Sequence, residues 1–233
     1  MKTTVRVVVV VCALFALLAA FSGDRAEAKT PNERINGAVE VLRDMEGQED
    51  VATMGKLLSK AKGVAIFPSV IKAGLVIGGQ YGEGFILRRN PDTNAWYGPN
   101  FVNITGASWG LQIGVQSIAL VLVITNDRGM QGFMGNNVKL SGDLSVAAGP
   151  VGRHAEAGTD YKLSASIYSY TMSKGLFAGI SLEGAVVDVD EEANSSYWGA
   201  AISARTALDK PARDSRIQPV LREITKLMAL GKD

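Results

Sequence analysis

IKAGLVI, residues 71–77, and LQIGVQSIALVLVI, residues 111–124, carry the period that decides the fold. In the first, Ile71, Ala73, Leu75 and Ile77 alternate with Lys72, Gly74 and Val76; in the second, Leu111, Ile113 and Val115 alternate with Gln112, Gly114 and Gln116. A period of two sends successive side chains to opposite faces, so both stretches read as strands. Ile118 to Ile124 is apolar throughout, as in a strand covered on both faces, and Gln112, Gln116 and Ser117 keep the region from reading as a membrane helix. Leu144, Val146 and Ala148, then Leu163, Ala165 and Ile167, then Leu176, Ala178, Ile180 and Leu182 continue the alternation, giving an expectation of seven to nine mostly antiparallel strands. Of the 26 glycines, 21 lie between positions 63 and 199, many inside these stretches rather than at turns. Glycine within a strand marks bends, bulges or close backbone approach, so the sheet should be strongly curved or a partly closed barrel. Asn90-Pro91-Asp92-Thr93-Asn94 reads as a hairpin turn, Gly78 to Gly84 as a tight hairpin or bulge, and Asp127 to Met134 as a short helix.

Helical periods flank this region. Thr30-Pro31-Asn32-Glu33 has the N-cap, first-turn proline and glutamate of a capping box, and Ile35, Val39, Leu42 and Met45 follow at helical spacing until Gly47. Val51, Met54, Leu57, Leu58 and Ala61 form a second stripe flanked by Lys56, Lys60 and Lys62. This second helix either packs on the core or lies amphipathically on a membrane surface. Ser215, Ile217, Val220, Leu221, Ile224, Leu227 and Met228, closed by Gly231, predict an amphipathic C-terminal helix. The fold class is therefore α+β, with residues 29–233 as a single domain.

The N-terminus reads differently. Lys2 and Arg6 precede an apolar run from Val7 to Phe21, and Ala26-Glu27-Ala28 is a small-x-small cleavage site. This is the pattern of a secretory signal peptide, residues 1–28, cut after Ala28; the run is too short to span a bilayer. Its removal takes three basic and two acidic residues and the lone Cys12, leaving a cysteine-free chain of 205 residues with 21 basic and 21 acidic side chains. An exported protein without disulfides must rely on its own core, and the expected location is periplasmic or secreted. A formally neutral chain lacks the basic excess of a nucleic-acid binder, and one cysteine with one histidine cannot supply a four-ligand zinc site. No cofactor is expected.

Candidate chemistry is sparse. Gly106-Ala107-Ser108-Trp109-Gly110 matches G-x-S-x-G, with Asp127 or Asp143 and then His154 downstream, but a nucleophile elbow needs a following helix, and Leu111 to Val115 alternate as a strand. The Gly78 to Gly84 run is followed by Phe85-Ile86-Leu87, a strand, not by a helix whose N-terminus could hold phosphate. A lone His154 in a Gly/Pro loop reads as a surface residue. Asp188, Asp190, Glu191 and Glu192 are dense enough to consider Ca²⁺, yet lack the spacing of an EF-hand; they read better as the acidic start of a helix. No metal site and no catalysis are expected.

GPVGRHAEAGTDYKLSASIYSY (149–170), SKGLFAGISLEGAVV (173–187) and NSSYWG (194–199), with AKGVAIFPSVIKAGLVIGGQYGEG (61–84) and LVITNDRGMQGF (122–133) upstream, resemble the SYLF-domain family in order and over about Val51 to Gly199. The resemblance implies a lipid-binding module. Eukaryotic members bind phosphoinositides and other anionic lipids, with an amphipathic N-terminal helix implicated, and fungal members also bind and bundle actin. Most matching residues are glycines; the polar ones are Lys72, Arg153, Glu156, Lys174 and Glu183. The implied partner is an anionic phospholipid or membrane surface; on the amphipathic reading of the second helix Lys56, Lys60 and Lys62 meet headgroups while Leu57 and Leu58 insert, and Lys72, Arg153 and Lys174 are candidate headgroup contacts that fit structural ion pairs as readily. The alternatives are a cell-envelope module that binds another protein and, weakest, a metal-assisted enzyme using residues 188–192. An exported chain gives actin no evident access, so actin is not expected as a partner.

Overall fold

The computed structural model describes residues 28–48, 51–74, 77–109, 114–149, 165–173, 176–177, 182 and 184–231. Two helices come first, α1 (Pro31–Glu46) and α2 (Val51–Lys60), then four long strands, β1 (Gly63–Gly74), β2 (Ile77–Asn90), β3 (Ala95–Trp109) and β4 (Gly114–Ile124). After α3 (Asp127–Gly132) come the shorter β5 (Asn137–Lys139), β6 (Val146–Ala148), β7 (Ile167–Ser173), β8 (Leu176–Phe177) and β9 (Val186–Val189). Helices α4 (Glu191–Trp198), α5 (Ala204–Asp209) and α6 (Gln218–Leu230) complete the order. The strands form one curved sheet in the order β5-β9-β3-β2-β1-β4-β7-β6, with β8 beside β7; the sole parallel pair among them is β6 with β7. The expected α+β class and curved, mostly antiparallel sheet are what the chain adopts.

Alternation along the strands sorts the core into two layers. On one face Val64, Ile66, Phe85, Leu87, Phe101, Val121 and Val123 pack against Ile35, Leu42, Met54, Leu58, Ile224 and Leu227 of α1, α2 and α6. On the other, Ala65, Phe67, Ile86, Val102, Leu120, Leu122 and Ile124 meet Met130, Phe133, Val138 and Leu144. Val121 and Val123 thus face the helices while Leu120, Leu122 and Ile124 face away, the two-sided burial that a wholly apolar run implies.

Local chemistry explains the element ends. Thr30 caps α1 through the box read from the sequence: its hydroxyl accepts from Glu33 N (3.3 Å), and the Glu33 carboxylate accepts from Thr30 N (2.8 Å). The Asn90–Asn94 segment turns β2 into β3, with Asn94 in the left-handed region at φ 57°. The irregularity expected near Gly84 lies in the partner strand: β1 shifts register between Ile66 and Ser69, and Gly84 leaves room there, where a Cβ would press on the Ile66 carbonyl and the Phe67 ring.

Several sequence expectations are corrected here: β1 ends at Gly74 and β2 begins at Ile77, so 71–77 is not one strand; Gly78 to Gly84 lie inside β2, paired with β1 from Gly74↔Gly78 onward, rather than forming a hairpin; and Leu182 is in no strand. Ala165 lies before β7 rather than in a strand, and α6 begins at Gln218, later than Ser215 suggests, because Asp214 to Ile217 form a turn in which the Arg216 backbone N–H and guanidinium both reach the Asp214 carboxylate. Leu163 and residues 178–181 lie outside the described residues, as do 1–27.

Candidate functional site

The four long strands outrun the helices that cover them. Where β1, β2, β3 and β4 continue beyond α1, the register aligns Thr105, Tyr81, Ile71 and Ser117 in one row across the sheet, and Ala107, Gly79, Ala73 and Val115 in the next. Directly paired residues share a face. All eight are exposed and none is charged. Ile71 is 47% exposed, Tyr81 46% and Val115 71%, three of the four large exposed hydrophobic side chains among the described residues. Toward α1 the surface runs into a groove of about 330 Å³ lined by Ser117, Ala119, Met172, Pro68, Glu40 and Asp44, among others.

At this end the opposite face of the strands carries polar side chains. Register aligns Gln116, Lys72, Gln80 and Gly106 there. Gln116 donates to the Ser173 hydroxyl (3.0 Å), and burial lowers the Lys72 ammonium pKa from its ordinary value. Lys72 therefore stands at the open end, half-buried, on the face away from Ile71.

Beneath the open end lies a buried charge cluster that binds α1 to the sheet. Arg34, 1% exposed, places its guanidinium 2.7 Å from Asp190 and 3.5 Å from Glu83 of β2. Glu83 also accepts from the Tyr81 hydroxyl (3.1 Å) and from the Lys29 backbone N–H (3.0 Å). Asp190 is the N-cap of α4 and accepts from Ala193 N. Burial pushes its carboxyl up, but the Ala193 hydrogen bond, the Arg34 guanidinium and the Asn103 amide together hold it below the usual carboxylate range. The 188–192 cluster is thus a helix start fixed by an ion pair. Among the described residues, no group of three or more Asp, Glu, His or Cys is placed to hold a metal ion. Asn194, one turn into α4, pairs its side-chain amide with both Phe101 backbone groups at 2.9 Å, which locks that helix to β3.

The residues singled out from the sequence do not converge. Leu57 and Leu58 are 5% and 0% exposed and pack in the helix-side core, so the expectation that they insert into a membrane is corrected: the apolar stripe of α2 is spent against the sheet and α6. Gly55 seats this contact, since a Cβ there would collide with the Leu227 carbonyl. Lys56 and Lys60 face solvent, and Lys62 reaches Asp127 at 3.3 Å. These lysines precede β1, whereas Lys72 and Ile71 lie near its far end. Arg153, Lys174, Glu156, Glu183 and His154 lie outside the described residues. Ser108 sits within β3, paired with Gly78, and so is not on a nucleophile elbow. Sequence reading missed the open rows because alternation names the two faces of a strand without saying which is covered. It missed Arg34 because an arginine on a helix reads as solvent-facing.

Fold and surface together define an α+β domain with, among the described residues, an exposed and uncharged sheet end. The chain belongs to the Ysc84 family, whose model, described as "Las17-binding protein actin regulator", matches residues 105–230. It is 37% identical over 175 residues to the SH3 domain-containing YSC84-like protein 1 of Bos taurus, covering 73% of this chain and 51% of that protein. An SH3 domain-containing protein of Schizosaccharomyces pombe is 34% identical over 213 residues, 89% of this chain and 49% of the relative. LAS seventeen-binding protein 3 of Saccharomyces cerevisiae is 34% identical over 166 residues, 70% and 35% respectively. The chain spans about half the length or less of these relatives. The resemblance read from the sequence is confirmed at the level of the family, a family of binding and regulatory modules, and the match runs past Gly199 through α6. The expectation that set actin aside is corrected, because the family is itself described by actin regulation.

Proposed function

We propose that this chain is an exported lipid-associating module that meets an anionic phospholipid surface through the open end of its sheet. The observation that carries this reading is the pair of exposed, uncharged rows spanning Thr105 to Ser117 and Ala107 to Val115, with Ile71, Tyr81 and Val115 projecting from them. Three large apolar side chains exposed together on an uncharged surface suit a contact site. Lys72 supplies a cation at the same end, and its aliphatic stem lets the ammonium reach headgroup phosphates while the sheet edge lies at the interface. With 21 basic against 21 acidic residues after cleavage, long-range attraction is absent, so affinity rests on this local contact.

Co-sedimentation with phosphatidylcholine vesicles, with and without phosphatidylserine, tests the reading. Binding that strengthens with phosphatidylserine and weakens in Lys72→Gln supports it; folded protein left in the supernatant of both vesicle types ends it. A second reading, a protein partner in actin regulation, is favoured by the family description, and the α1 groove, where Glu40 and Asp44 outnumber the one lining cation, Lys29, would suit a basic segment of that partner. Co-sedimentation with actin filaments that is lost in Glu40→Lys/Asp44→Lys, while vesicle binding persists, would favour it.

A further inference from the structure

The buried cluster beneath the open end has an unbalanced charge. Two carboxylates, Glu83 and Asp190, face one guanidinium, Arg34, while the fourth member, the Lys29 nitrogen 3.0 Å from Glu83 Oε2, is an uncharged peptide N–H as long as Ala28 precedes it. Buried charges are stable only when paired. Lys29 is also the residue that follows the Ala26-Glu27-Ala28 cleavage pattern.

We propose that Glu83, backed by Arg34 and Asp190, is a binding site for the α-ammonium of Lys29 created by cleavage after Ala28. This inference rests on the export reading. In the cleavage an export-pathway endopeptidase adds water across the Ala28–Lys29 peptide bond: hydroxyl goes to the Ala28 carbonyl carbon, which leaves as a carboxylate with residues 1–28, and hydrogen goes to the Lys29 nitrogen. The freed amine takes a further proton at neutral pH, since an α-amino group titrates near ~8. The N–H already aimed at Glu83 becomes an ammonium at the same position, and the cluster then holds two cations against two carboxylates. A hydrogen bond charged on the acceptor side alone becomes an ion pair charged on both sides. The Lys29 backbone carbonyl accepts from Arg34 Nε at 2.9 Å, so the first residue is held from both of its backbone groups. In the precursor the same contact has an uncharged donor; the ammonium strengthens this tie between the start of α1 and β2, two residues from Tyr81. Other charged or titratable groups facing the new terminus are the Tyr81 hydroxyl, the Glu33 carboxylate at the α1 N-terminus and the Lys29 side chain itself.

The test expresses the full chain in an exporting cell, reads the N-terminus of the product by mass spectrometry, and measures the rate at which its α-amine is acetylated near neutral pH, where side-chain ammoniums react slowly. An N-terminus at Lys29 whose amine reacts on the order of tenfold more slowly in the folded protein than in denaturant, the effect of a pKa raised by about one unit, is the expected result. Glu83→Gln should restore the faster rate in folded protein; the denaturant comparison stands by itself if that variant does not fold. An uncut chain retained in the cell refutes the export reading on which the inference depends, and an exported product beginning at another residue overturns the binding site while leaving export intact. A Lys29 amine that reacts equally fast folded and unfolded leaves the export reading intact and overturns the binding site.

Discussion

Replacing Ile71 and Val115 together by threonine should weaken vesicle binding strongly while leaving the fold intact. Both residues lie in strands, and threonine keeps the β-branch that suits them. Being 47% and 71% exposed, they contribute little to the core, so stability should change by less than ~1 kcal/mol. Complete burial of an isoleucine or valine side chain is worth about 1.5–3 kcal/mol. The fractions still open to water therefore leave about 2–3 kcal/mol to be gained by both at an interface. At tenfold per 1.4 kcal/mol, losing that gain weakens binding roughly 30- to 150-fold. The assay is co-sedimentation across a lipid titration, with thermal melts of both proteins as the control. Unchanged vesicle affinity in a variant that melts like the parent would refute the assignment of this end as the lipid contact.

Arg34→Met should be strongly destabilising, because it leaves Glu83 buried and Asp190 partly buried without their cation: about 3–5 kcal/mol, read as a melting point lower by roughly 6–20 °C. Asp190→Asn keeps a capping oxygen for α4 but loses the charge. Since the folded carboxyl titrates below its unfolded value near ~3.9, its stabilisation is present above that pH and is lost as pH falls through the folded value; acid melts of the variant should be flatter there. Gly55→Ala should cost about 1–3 kcal/mol by denaturant unfolding, because a Cβ is driven into the α6 backbone.

What the sequence disclosed and what it hid divide along physical lines. The strands, the capping box at Thr30 and the helix closed by Gly231 were legible because each depends on residues close together in the chain. Leu57 and Leu58 beside three lysines have the same pattern whether the stripe faces a membrane or a sheet; their burial against β-strand residues and α6 is a tertiary fact. The eight-residue open surface is assembled from four strands by register, and Ile71, Tyr81 and Val115 are unremarkable strand residues until the neighbouring helix is seen to stop short of them. Arg34 and Asp190 are 156 positions apart, so no local pattern could pair them.

The most direct measurement places a spin label at Val115→Cys or, separately, Lys60→Cys in the chain cleaved after Ala28, which has lost its only cysteine, Cys12. Collision with oxygen and with a water-soluble relaxation agent then reports depth when vesicles are bound. The account predicts that the Val115 label moves below the headgroups while the Lys60 label stays in water. Vesicle-bound protein with the Val115 label still in water, or with the Lys60 label the deeper of the two, would contradict it.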